Sequence, residues 1–310
     1  MKKLLIIVGA GVLLGAAAGL MWGVNYLFDY AIASGKKEFV GGHEQQRRNG
    51  EEFKEWAFAE TAPATVTLTS RDDLTLRATH FVQQQTTQPK LAIIAHGYGN
   101  YSGNMSAYAE LFYELGYDVL LPDARAHGYS EGQYIGFGWL DRLDYVDWID
   151  NMLDHYGQQV EIVLYGLSMG GTTVMMTSGE TLPHQVKAVI EDCGFDSVKN
   201  ELTFQLKDMF NLPAFPLIPL TSFYTQLRAG YNFNEASAIA QLRKNKLPTL
   251  FIHGNQDSFV PTEMVNSVYE ATQGPKELLI IEGADHAQSL ETSPEKYQKE
   301  VKQFLEKYVR

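Results

Sequence analysis

The sequence predicts an α/β fold built on a mostly parallel sheet, and three observations carry that prediction. Short apolar runs alternate with helix-spaced segments from residue 90 to the end of the chain. One run, Val160–Leu164, leads into Gly166-Leu167-Ser168-Met169-Gly170-Gly171, the pattern of a strand, a sharp turn bearing a serine, and a helix start. Two later loops, Gly254-Asn255-Gln256-Asp257 and Glu282-Gly283-Ala284-Asp285-His286, each follow a predicted strand. Such loops lie beyond the carboxyl ends of the strands, where ligands bind in open α/β sheets.

The chain begins with a separate object. Lys2 and Lys3 precede Leu4 through Val24, a stretch with no charged residue. As a helix it is about 31 Å long, which matches the hydrocarbon thickness of a bilayer. Trp22, Tyr26 and Tyr30 stand at its far end, as interfacial aromatics do. Residues 1–33 are therefore predicted to be a transmembrane anchor, with membrane contact through residues 4–24. Lys2 and Lys3 against the span orient it with the N-terminus inside and the following domain extracytoplasmic, although Lys36 and Lys37 compete. The rival is a secretory signal peptide cut near Ala33, after Ala31-Ile32-Ala33; an apolar core longer than the usual ~7–15 residues favours the retained anchor. Gly11, Gly15, Gly19 and Gly23 line one helix face, which suits a homodimer packed in lipid as well as it suits a loose Ala/Gly-rich helix. Residues 34–62 are polar and read as a connector, with a short helix at 50–59.

Residues 63–310 form the predicted α/β domain, with an insertion at 195–245. Segments 64–70 and 74–81 alternate about the turn Arg71-Asp72-Asp73 and predict a hairpin. Lys90–Ala95 is a continuous apolar run, as in a strand covered on both faces, and it ends in His96-Gly97-Tyr98-Gly99-Asn100. A helix is predicted over 105–115, a strand over 117–121, a turn-rich loop from Pro122 to Ser130 and an amphipathic helix over 140–153. After the serine turn and its helix comes a strand at 186–190. Residues 195–245 break this rhythm with Phe195, Phe204, Phe210, Phe215, Phe223 and Phe233 among three prolines. A stretch this long does not lack structure. It reads as a small helical cap whose apolar residues build a pocket. Strand 249–253, helix 261–271, strand 277–281 and helix 294–308 complete the chain.

Composition narrows the function. The chain has 310 residues, with 25 Lys+Arg against 37 Asp+Glu and a net charge of −12. An acidic surface argues against nucleic acid as a partner. Cys193 is the single cysteine, so neither an intrachain disulfide nor a thiolate ligand cluster is available.

The chemistry follows from order and spacing. Serine, acid and histidine occur as Ser168, Asp257 and His286, each past a strand end. An unactivated serine is a poor nucleophile; His286 as base and Asp257 as the group that orients it would activate Ser168. Asp192, at another strand end, competes for the acid role, and Asp285 adjoins the histidine. The Met169 N–H begins the helix after the serine and can face a developing oxyanion, with the helix dipole adding to it. The second donor is assigned to the backbone N–H of Tyr98, flanked by Gly97 and Gly99. His96, Asp123, His127 and Asp257 could be considered as metal ligands, but no spacing among them matches a recognised site, and loop-shaping hydrogen bonds are the expectation for His96 and Asp123. No cofactor and no metal are expected.

Taken together, His96-Gly97-Tyr98-Gly99, Asp123-Ala124-Arg125-Ala126-His127-Gly128-Tyr129-Ser130, Gly166-Leu167-Ser168-Met169-Gly170-Gly171, Gly254-Asn255-Gln256-Asp257 and Gly283-Ala284-Asp285-His286 resemble the alpha/beta-hydrolase superfamily. Within it the chain resembles membrane-anchored bacterial serine hydrolases, cinnamoyl and feruloyl esterases, and the catalytic domain of prolyl-oligopeptidase-like peptidases. The resemblance implies an eight-stranded, mostly parallel sheet with a cap after the sixth strand. It implies Ser168, Asp257 and His286 as triad, and Tyr98 and Met169 as oxyanion donors. The expected activity is a carboxylesterase acting on short-to-medium acyl or aryl esters. The alternatives are a peptidase or amidase with the same triad, a haloperoxidase or thioesterase of the same fold, and a catalytically silent binding protein of the cell envelope.

Overall fold

The structure, a computed structural model, describes residues 2–35, 63–83 and 88–309, with the side chains of the first helix described from Gly15 onward. The predicted connector beyond residue 35 and the short helix at 50–59 lie outside the described residues.

Eight strands form one sheet: β1 Ala64–Thr69, β2 Thr75–Phe81, β3 Lys90–Ala95, β4 Asp118–Pro122, β5 Glu161–Leu167, β6 Val186–Asp192, β7 Thr249–Gly254 and β8 Lys276–Ile281. Their order is β1-β2-β4-β3-β5-β6-β7-β8. The β1–β2 and β2–β4 pairings are antiparallel, and all pairings from β4 through β8 are parallel. The helices are α1 Lys2–Ala31, α2 Ser106–Glu114, α3 Asp141–Tyr156, α4 Met169–Thr177, α5 Val198–Phe210, α6 Ala214–Ala229, α7 Ala238–Leu242, α8 Glu263–Ala271, α9 Ser289–Thr292 and α10 Pro294–Tyr308.

The parallel strands carry apolar side chains on both faces because both faces are covered. Ile94, Val119, Val163, Tyr165 and Ile190 pack with Tyr108 and Phe112 of α2 and with Tyr297, Val301 and Phe304 of α10. The opposite face packs Ile93, Leu120, Ile162 and Leu164 against Tyr145, Trp148 and Ile149 of α3. Asp192 closes β6 and Thr249 opens β7; between them the chain forms the helices α5, α6 and α7, referred to below as the cap.

The first helix requires a correction. Among the described residues no helix is long and apolar enough to cross a membrane. The transmembrane anchor, membrane partnership through residues 4–24, single-pass location and extracytoplasmic orientation are overturned by that finding, and with them the likeness to membrane-anchored hydrolases. The end of α1 belongs to the folded domain instead. Val24, Phe28 and Ile32 are buried, and the Phe28 ring stands edge-on to Tyr224 of α6 at 5.0 Å. The chain after α1 continues the contact: Ile135 N donates to Ile32 O at 2.7 Å, and Ser34 N donates to Gln133 O at 2.8 Å. Cleavage near Ala33 would remove Phe28 and Ile32, both with no exposed surface. The aromatics read as a membrane belt form a ladder along the helix, Trp22 on Tyr26 and Tyr26 on Tyr30. Its last two rungs meet Phe210 of α5 edge-on. On the glycine stripe, Gly23 faces Leu217 of α6 in the same chain, while Gly15 and Gly19 face open space; Gly11 lies outside the described side chains. An apolar run states that a segment is covered, not by what, and here cap helices cover its carboxyl-terminal turns.

Candidate active site

The serine turn is built by crowding. A side chain at Gly166 would overlap the Gly170 carbonyl, and one at Gly170 would overlap the Ala95 carbonyl of β3. Only glycine permits β5 to turn so sharply into α4. Ser168 sits at the apex with φ 57° and ψ −118°, a conformation that side-chain-bearing residues rarely adopt. Its N–H donates to Asp192 O at 2.7 Å, which ties the strained turn to the end of β6. This geometry sets Ser168, itself buried, at the carboxyl edge of the sheet on the wall of a cleft.

Ser168, His286 and Asp257 come together there. Ser168 Oγ lies 2.9 Å from His286 Nε2, and His286 Nδ1 lies 2.8 Å from Asp257 Oδ2. Asp257 is held from several directions. Its Oδ1 accepts from Phe259 N at 2.9 Å and Val260 N at 2.8 Å, and its Oδ2 also lies 3.3 Å from His253 Nε2. Burial alone would raise this carboxyl, but the hydrogen bonds from His253 and His286 outweigh it and hold Asp257 at about 2. An ionised Asp257 fixes His286 with its proton on Nδ1 and leaves Nε2 to accept from the serine. The Phe259 ring lies 5.0 Å from the imidazole and shields it on one side.

The rival acids are placed elsewhere. Asp192 Oδ2 accepts from Tyr297 OH at 2.8 Å, and burial lifts its carboxyl to about 6. Asp285 accepts from Ser258 N, Ser258 Oγ and His286 N, so it braces the histidine loop from outside.

Met169 is the first residue of α4, where a helix N–H has no partner within its own helix. The Gly97–Gly99 loop passes directly over the nucleophile: a Cβ on Gly97 would stand 3.5 Å from the Ser168 Cβ. The Tyr98 side chain turns away from the sheet, its hydroxyl donating to Ala31 O at 2.8 Å and its ring packing on Phe137. The residue assigned to the oxyanion site is thereby tied to the end of α1.

The histidines weighed as metal ligands shape loops. His96 donates Nδ1–H to Gly97 O, and its Nε2 accepts from Ala124 N at 2.9 Å. His127 donates Nδ1–H to Arg125 O and accepts from Gly99 N. Burial pushes both to about 4, so they are neutral, in keeping with these tautomers. Asp123 accepts from Ser102 N and Tyr129 N. Among the described residues one group, Cys193, Asp257 and His286, brings ligand-type atoms within 4.8 Å of one another. Its carboxylate and imidazole are already bonded to each other, and burial holds the Cys193 thiol well above its ordinary range, so the donor set fits a triad better than a cation.

The nucleophile opens into a cleft of about 760 Å³ including its mouth. Its walls come from the cap and, unexpectedly, from α1: Leu27, Tyr30 and Ala31 line it together with Leu206, Phe210 and Ile218. Sequence reasoning missed these α1 residues, and it missed His253. The signal for His253 was present, a histidine inside an otherwise apolar strand four residues before Asp257.

A family profile described as the alpha/beta hydrolase fold matches residues 91–223. Over 309 residues, 99% of this chain and 98% of the relative, the sequence is 31% identical to the uncharacterized protein YqkD of Bacillus subtilis (strain 168). The chain belongs to the alpha/beta-hydrolase family. The uncharacterized protein YfhR of Escherichia coli (strain K12) is 28% identical over 63% of each chain. Among solved structures, the hydrolase fold matches the esterase Pf2001 of Pyrococcus furiosus with a TM-score of 0.64 at 23% identity, covering 80% of this chain and 93% of that one. It also matches the alpha/beta hydrolase GrgF of Penicillium sp. sh18 with a TM-score of 0.61 at 19% identity, over 80% and 99%. These two likenesses concern the fold.

Proposed function

We propose that this alpha/beta hydrolase is a serine hydrolase that cleaves carboxylic esters through an acyl-enzyme on Ser168. The observation that carries the reading is the unbroken line from Ser168 Oγ to His286 to Asp257, at 2.9 and 2.8 Å, at the mouth of an apolar cleft. Ser168 Oγ attacks the ester carbonyl as His286 Nε2 takes its proton. The Met169 and Tyr98 N–H groups face the tetrahedral oxyanion. His286 then gives its proton to the departing alcohol, and the acyl group stays on Ser168. A water molecule, deprotonated by His286, attacks the acyl-enzyme and releases the acid. Asp257, ionised throughout, stabilises the imidazolium formed at each proton transfer. The apolar walls suit an acyl or aryl group of short to medium length.

The test is labelling of the full-length chain with a fluorophosphonate, beside Ser168→Ala, with p-nitrophenyl esters of increasing acyl length as substrates. The full chain is required because Leu27, Tyr30 and Ala31 belong to the cleft wall. Labelling and ester turnover that both vanish in Ser168→Ala are the expected result. A folded protein that neither reacts with the probe nor turns over any ester overturns the reading.

A further inference from the structure

The cleft at Ser168 is apolar on nearly every side, but two polar atoms on the cap helices break that pattern. Glu201 of α5 is 3% exposed; its Oε1 accepts from Gln205 Nε2 at 2.9 Å, and its Oε2 has no hydrogen-bond partner among the described residues. Thr221 of α6 is also 3% exposed, and its Oγ1 is likewise unpartnered. Both residues line the cleft. Buried polar atoms left without partners are costly, and of the unpartnered side-chain atoms among the described residues these two belong to the cleft wall, where a ligand group can supply the partner.

The chemistry of that group follows from the two side chains. Burial raises the Glu201 carboxyl to about 8. Near neutral pH it is mainly a carboxylic acid, with an O–H to donate and oxygens to accept. The Thr221 hydroxyl also donates and accepts. An ammonium would have to draw the proton off Glu201 against the burial that holds it there, and an anionic group would meet the field of ionised Asp257, which already acts on Glu201. An uncharged hydroxyl matches both partners. Glu201 is also held in register with the chemistry: Gln205 Nε2 donates to Phe259 O at 2.8 Å, and Phe259 N donates to Asp257 Oδ1.

We propose that Glu201 and Thr221 are specificity residues that hydrogen-bond a hydroxyl on an otherwise aliphatic arm of the substrate, so that hydroxylated aliphatic esters are preferred. This inference rests on the ester-hydrolase reading above. The test compares kcat/KM of the full-length protein on matched pairs. One set is p-nitrophenyl octanoate against its 6-, 7- and 8-hydroxy forms. The other is octyl acetate against the monoacetates of octanediols, which places the hydroxyl on the alcohol side. At least one hydroxylated ester is expected to exceed its plain partner by about tenfold. Glu201→Leu and Thr221→Val are each expected to bring that ratio towards one, and Glu201→Gln, which keeps a donor and an acceptor, to preserve most of it. Plain esters equal to or better than every hydroxylated form in the unaltered protein would overturn the proposal, whether or not Glu201→Leu folds. A ratio unchanged in both Glu201→Leu and the nearly isosteric Thr221→Val would overturn it too. Turnover of plain esters without hydroxyl preference removes this proposal alone, whereas loss of all turnover and probe labelling removes the ester reading and this one with it.

Discussion

Asp257 and Glu201 are both buried carboxyls beside the same cleft, yet they are driven in opposite directions. Asp257, on the loop after β7, is surrounded by donors: two backbone N–H groups, His286 and His253. It stays ionised, with its pKa held at about 2. Glu201, on the cap, has one donor, Gln205, and burial lifts it to about 8. The difference separates two regions of the molecule. At the sheet edge the Asp257 carboxylate is fixed by backbone donors and the Ser168 turn by crowded glycines, as preorganised chemistry requires. The wall formed by the cap and α1 is mostly apolar side chain, with polar capacity left open for a ligand.

The largest effect that could break this comparison lies at the edge. Ser168→Ala should lower kcat on p-nitrophenyl esters by about 10⁶-fold, since members of a triad act as a unit. Asp257→Asn should cost about 10⁴-fold, because an amide favours the wrong tautomer of His286. Steady-state kinetics with folded variants checks both, and a loss of only a few-fold in either would dissolve the distinction between the regions.

The wall should respond in stability and selectivity. Phe28→Ala empties a fully buried site between α1 and α6 and should destabilise the protein by about 3–5 kcal/mol in denaturant unfolding. A change below ~1 kcal/mol would mean that α1 is not part of the cooperative domain.

The two carboxyls also predict opposite pH dependences. Asp257 is depressed relative to an unfolded carboxyl near 4, so its stabilisation is complete above about pH 4 and is lost as pH falls towards about 2. Glu201 is raised, so the folded state holds its proton while the unfolded state has lost it, and stability falls as pH rises from about 4 to about 8. Glu191, raised by burial to about 8, adds to the same slope. The buried neutral histidines His96 and His127 act in the opposite sense below about pH 6.5, so it is across pH 7–8 that melting temperatures should decline, and Glu201→Gln should flatten the decline by a few degrees. An unchanged slope in that variant would show that Glu201 is not protonated at neutral pH in the folded state. The smallest effect belongs to Tyr30→Ala, which opens the cleft beside Phe210 and should shift the preferred acyl length towards longer esters with a few-fold change in KM.

The same division governs what could be read from the sequence. The sheet edge was legible because its chemistry is local. Gly166 and Gly170 state a turn that no side chain tolerates, and the order Ser168, Asp257, His286 places each group after a strand. The family resemblance also favours Asp257 over Asp192 although both end strands, and in the folded chain Asp192 faces Tyr297 while Asp257 faces His286. The wall was only half legible. Phe195 through Phe233 announced a cap, but nothing in Leu4–Val24 says which surface covers a segment that continues to Phe28 and Ile32. Hydropathy over that run favoured lipid, and it carries no word of Tyr224 and Phe210, which the folded chain sets against the turns that follow, at Phe28, Tyr26 and Tyr30. Glu201 carried no signal at all, because a glutamate in the first turn of a helix is ordinary on a surface, and its position in the cleft comes from how the cap folds over Ser168.

The most direct measurement is rapid-quench mass spectrometry of the full-length protein during the pre-steady-state burst with p-nitrophenyl octanoate, followed by peptide mapping. An octanoyl group on the peptide that carries Ser168, formed in step with p-nitrophenol release and absent in Ser168→Ala, is the predicted result. Sustained ester turnover with no acyl group on Ser168, or with the acyl group on another residue, would contradict the account.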